Sequence, residues 1–144
     1  MNNYSNNDLN EAKKILSDGN YTCVLYKDNV VYTSKERGVK PLLEFINNNT
    51  CLKDFSAADK VVGKGAAFLY VLLKVKAVYA EIISKPALKI LEEHGIEVFC
   101  KDTVTAIKNR SGDGFCPIES AVLNIENPSE ALNIIKATLK KLSS

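Results

Sequence analysis

Apolar and polar positions along this chain follow two periods, and each change of period marks an element. From Asp8 to Ser17, Leu9, Ala12, Ile15 and Leu16 fall on one helical stripe, and Asp18-Gly19-Asn20 supplies the stop. "YTCVLYKDNVVYTS" reads as two β-rich runs around Lys27-Asp28-Asn29, a turn composition that favours a tight antiparallel hairpin. Pro41 suits the first position of a helix, which runs to about Asn47.

The pattern then predicts a long helix from near Ser56 to about Lys74. Ser56 and Asp59 have the spacing of a capping box, and "AAFLYVLLKV" is apolar nearly all round, as in a helix sandwiched against a sheet. "KAVYAEII" follows as a strand, "KPALKILEEHG" as a helix from Pro86 with Gly95 past its end, and "IEVFC" as another strand. Such a unit implies a parallel pair with a crossover helix. After "TVTAIKN" and a glycine-containing loop, helices run from Pro117 to about Leu123 and from Pro128 to about Leu142. A hairpin feeding strand-helix-strand units predicts an α/β fold, a three-layer α/β/α sandwich with a mixed sheet. Residues 1–7 are expected to be a disordered N-terminus and residues 8–144 a single domain.

Composition agrees with one globular domain: 144 residues, 46% hydrophobic and 25% charged. Nineteen basic residues against seventeen acidic ones leave a formal charge of +2, without the basic stripe that nucleic acid as a partner would need. "MNNYSNND" lacks the pattern of a secretory signal, and the longest apolar stretch, Ala66 to Leu73, is too short for a bilayer. The expectation is cytoplasmic residence with no membrane partner. Cys23, Cys51, Cys100 and Cys116 are irregularly spaced and form no CxxC, which suits free thiols in a reducing compartment.

Candidate chemistry gathers in three places. In "KNRSGDGFCPIES", Cys116 would cap a helix opened by Pro117, and Glu119 could reach back to the cap amide. The same helix start attracts anions and favours a thiolate, making Cys116 a candidate nucleophile with Glu119 as acid-base partner; plain capping is the alternative for Glu119. His94 sits at a helix end, where a capping role suits it better than that of a base for Cys116. Lys108, Asn109 and Arg110 with Gly112 and Gly114 compose either an anion cradle or an ordinary turn. There is no Walker loop and no dinucleotide fingerprint.

The second place, "SAADKVVGKGAA", puts Asp59, Lys60 and Lys64 in the first turns of the long helix, the two lysines on one face. Gly63 and Gly65 there each cost roughly 1 kcal/mol relative to alanine, so close packing or a close ligand must offset them. The third is "ISKPAL", where Ser84 and Lys85 begin a helix after a parallel strand, the edge at which open α/β sheets receive ligands.

The segments "SKERGVKPLLEF", "AADKVVGKGAA", "ISKPALKILEEHGIEV" and "IKNRSGDGFCPIES" carry a resemblance, from about Asp8 to about Leu142, to a prokaryotic domain family of unknown function with the fold of the cytidine deaminases. What the resemblance implies is a cytidine-deaminase-like sandwich in which the starts of two core helices converge on a cavity. Zinc deaminases carry H-x-E, or cysteine for the histidine, at one start and P-C-x-x-C at the other. Those motifs would fall near Asp59-Lys60-Val61 and Ser84 to Leu88, which hold neither histidine nor cysteine, so no metal and no cofactor is expected. By the same resemblance Asp59, Lys60, Lys64, Ser84 and Lys85 surround the cavity, Arg37 adds a wall, and the loop before Cys116 closes over it.

The leading expectation is thus a zinc-free domain that binds a nucleotide or related phosphorylated small molecule, with Asn109 and Arg110 among its anion contacts. Whether it catalyses is open. One alternative is a metal-independent transferase working on a nucleotide-like substrate through Cys116 or Asp59. The other is a regulatory or dimerising module, a homodimer without catalysis.

Overall fold

The computed structural model describes residues 3–36, 38–108, 114 and 116–143. In chain order the elements are α1 (Asn3–Asp18), β1 (Cys23–Lys27), β2 (Val30–Ser34), α2 (Lys40–Asn47), β3 (Ser56–Val62), α3 (Lys64–Leu73), β4 (Ala77–Ser84), α4 (Lys85–Glu93), β5 (Glu97–Val104), α5 (Pro117–Ala121) and α6 (Pro128–Ser143). Helix α1 thus begins at Asn3, inside the stretch expected to be disordered. The five strands make one mixed sheet in the order β2-β1-β3-β4-β5. Strand β1 runs antiparallel to both β2 and β3, while β3, β4 and β5 are mutually parallel.

The hairpin forms where the turn residues predict it. Asp28 and Asn29 take φ of 48° and 68°, a left-handed pair that short polar side chains tolerate and that matches the twist of the flanking strands. The parallel β4-α4-β5 unit also follows the sequence.

The long helix predicted from Ser56 does not exist. Residues Ser56–Val62 form the central strand β3, and the helix starts only at Lys64. Alanines favour helix locally, but Ser56, Ala57, Ala58 and Asp59 are buried between β1 and β4, where small side chains let both neighbouring layers approach. Hence Ser56 and Asp59 are no capping box, and Lys60 and Lys64 stand on different elements rather than on one helical face.

Two apolar clusters draw on alternate strand residues and so lie on opposite faces of the sheet. Ala12 and Leu16 of α1 cover Val24 and Ala58 on one face. On the other, Cys23, Leu25, Ala57, Val78 and Ala80 meet Phe68, Leu69 and Tyr70 of α3, Leu91 of α4 and Ile135 of α6. The alternation slips near the carboxyl ends of β3 and β4, where Val62 and Ile83 join this larger core. Their neighbours Val61 and Ile82, paired in register, are left 44% and 37% exposed. Among the described residues, no helix is long and apolar enough to cross a membrane.

Candidate functional site

Asp59 lies on β3 opposite Cys23 of β1, beneath Tyr70 of α3, and is 7% exposed. The Tyr70 hydroxyl donates to Asp59 Oδ2 at 2.7 Å, the Val61 N–H donates to Oδ1 at 3.3 Å, and Cys23 Sγ sits 3.5 Å from the Tyr70 oxygen. Burial pushes the carboxyl up to about 7, against the opposing pull of these hydrogen bonds. Burial, then the charge of Asp59, raises both the Tyr70 hydroxyl and the Cys23 thiol well above their ordinary values. All three shifts favour the protonated forms, and both oxygens of the Asp59 carboxyl are engaged inside the core.

Glu119 caps a helix, though not its own. Its Oε1 accepts from the Lys64 N–H at 2.7 Å and its Oε2 from the Gly65 N–H at 2.9 Å, so the carboxylate spans the positive end of α3. A Cβ on Gly63 would lie 2.5 Å from the Glu119 carboxyl carbon, and one on Gly65 would lie 2.6 Å from Ile118 Cγ2. Packing of α5 against α3 is therefore what offsets the two glycines. Lys64 is 7% exposed; its Nζ donates to the Leu123 carbonyl at 3.0 Å and lies 3.9 Å from Glu126, turned toward the α5–α6 connection.

The remaining predicted residues are dispersed. Ser84 is fully buried, and its Oγ accepts from the Ala87 N–H at 3.3 Å as the cap of α4. Lys85 is exposed and Lys60 half-buried. Cys116 is half-buried at the start of α5, without a side-chain capping bond. Arg37, Asn109 and Arg110 lie outside the described residues. Asp59, Lys64, Ser84 and Glu119 are each held in separate structural bonds, and the structure does not bring them into one cavity.

A groove exists nearby. It has a volume of about 510 Å³ and is lined by Val61, Ile82 and the run from Val104 to Lys108. Its walls are the carboxyl ends of the three parallel strands and the segment leaving β5, whose Ile107 carbonyl accepts from the Cys116 N–H at 3.1 Å. The walls are mainly apolar, with the Lys108 cation among them. Of these residues the sequence singles out only Lys108. A strand reading of "AADKVVG" beside "YAEIISK" would have exposed Val61 and Ile82 as adjacent strand ends. Among the described residues, no group of three or more His, Cys, Asp or Glu is placed to hold a metal ion.

This architecture is similar to the crystal structure of a DUF1893 family protein (TM1506) from Thermotoga maritima, with a TM-score of 0.85 and 30% sequence identity over 91% of this chain and 89% of that chain. No curated protein matches the chain. The sequence signature described as "TM1506: Domain of unknown function (DUF1893)" matches residues 11–139, and the chain belongs to that family.

Proposed function

We propose that this protein is a zinc-free, cytidine-deaminase-like domain of three-layer α/β/α build that binds a nucleotide or related phosphorylated small molecule. The single observation that carries the reading is the groove of about 510 Å³ at the carboxyl ends of β3, β4 and β5. Open α/β sheets receive ligands at that edge, and the volume falls within the ordinary range for small-molecule sites. Val61, Ile82 and Ile107 offer apolar faces for a planar base, and Lys108 offers a cation for phosphate. Lys60 precedes Val61 along the chain, and Lys85 follows Ser84, the register partner of Val104. Arg110 and Asn109 stay in the proposal on their sequence alone.

The zinc of the cytidine deaminases does not fit these residues. With α3 beginning at Lys64-Gly65-Ala66 and α4 at Lys85-Pro86-Ala87, neither helix start presents an imidazole or thiolate. Binding is favoured over transfer through Asp59, because both carboxylate oxygens are engaged inside the core.

A thermal-shift screen with nucleosides, nucleotides and sugar phosphates tests the reading. A true ligand at a hundred times its dissociation constant stabilises the native state by about 2.7 kcal/mol. Lys108→Ala and Val61→Asp should each abolish the shift while leaving the unliganded midpoint nearly unchanged. No shift with any compound, or a shift indifferent to both variants, overturns the proposal.

A further inference from the structure

Strand β5 ends the sheet: among the described residues its one strand neighbour is β4, and Glu97, Phe99, Cys100 and Lys101 are all exposed. Phe99 pairs in register with Tyr79, which packs against the cluster under α1, yet Phe99 itself is 43% exposed. A long edge strand with unpaired backbone groups and an exposed aromatic is a template for strand addition. Neither Glu97 nor Lys101 has an ion-pair partner among the described residues. We propose that a second copy of this chain covers this edge, with β5 of one protomer pairing antiparallel to β5 of the other about a two-fold axis at Phe99.

Backbone direction and charge together select that axis. The Glu97 N–H donates to Lys76 at 3.1 Å, toward β4, so the backbone groups of Val98 and Cys100 point outward from the sheet. Outward residues must meet outward residues across the new pair, which excludes every register centred between two residues. Centring on Lys101 sets two lysines directly opposite, a repulsive arrangement. Centring on Cys100 sets Glu97 opposite Thr103 and Phe99 opposite Lys101. Centring on Phe99 sets Glu97 opposite the other copy's Lys101, twice by symmetry, and Phe99 opposite Phe99 in a non-hydrogen-bonded pair, where side chains approach most closely. Val98 and Cys100 then exchange backbone hydrogen bonds with the other copy's Cys100 and Val98. The short stretch "EVFCK" is self-complementary in charge and in apolar character only in this register.

Sedimentation or light scattering tests the assembly. The wild-type mass should be twice 15.8 kDa. Glu97→Lys alone and Lys101→Glu alone set like charges opposite each other and should weaken dimerisation at least ten-fold. The double variant, with the charges exchanged, should restore it, which also shows that the substitutions do not unfold the chain. In a Cys100→Ser background, Phe99→Cys should form an interchain disulfide across the axis. A wild-type monomer at high concentration overturns the proposal, as does a dimer indifferent to the single reversals, such as one built on β2 or on a helical surface.

Discussion

Asp59 is a buried carboxyl group with no ion-pair partner among the described residues, and its proton is therefore tied to folding. Its value near 7 in the native state stands above the ordinary 3.8. The stabilisation this group contributes is fully present below about pH 4 and is lost as pH rises through about 7, because the folded protein must then bear a buried negative charge. The wild-type melting temperature should accordingly fall between about pH 5 and about pH 8 by more than that of Asp59→Asn, which stays neutral at every pH. Parallel curves for the two proteins would remove Asp59 from this role. Tyr70→Phe deletes the hydroxyl donated to Oδ2 and should cost about 1–3 kcal/mol in urea unfolding, while moving the pH midpoint of the wild-type slope upward. None of this is legible in the sequence, where Asp59 reads as a capping-box acid in the first turn of a helix; its chemistry comes from burial on β3 against Cys23 of β1 and Tyr70 of α3.

At the scale of elements, the junction between β3 and α3 governs both what the sequence reveals and what it hides. The hairpin, the β4-α4-β5 unit and the last helix are legible because turn residues, proline starts and apolar periodicity agree there. The central strand is not, because Ala57 and Ala58 are helix formers locally and become strand residues only through neighbours distant in sequence. Misplacing that strand scatters the expected site: Lys60 remains on the sheet, Lys64 turns to Leu123, and Glu119 closes the helix end that an external anion would have used. Glu119→Ala should lower stability by about 2 kcal/mol through loss of two charge-assisted bonds, and Gly65→Ala should cost about 1–3 kcal/mol by driving a methyl into Ile118. Chemical denaturation measures both. An unchanged midpoint for Glu119→Ala would mean that water replaces the carboxylate at no cost.

For the whole molecule, helices packed on one sheet leave its parallel strand ends open as a groove and, among the described residues, its β5 edge without a strand neighbour beyond β4. The common edge formed by the carboxyl ends of the parallel strands was legible, since strand-helix-strand order alone places it, whereas the identity of the residues lining the groove there depended on the one-residue slip that exposes Val61 and Ile82. Strand β5 borders both surfaces: the stretch from Glu97 to Lys101 forms the sheet edge, with the backbone groups of Val98 and Cys100 directed outward, and Val104 leads directly into the groove wall. Clamping one end of a beam damps the sway of the other. A small molecule seated against Lys108 should consequently be held more tightly in concentrated than in dilute protein, and its saturation curve should shift leftward as chain concentration rises.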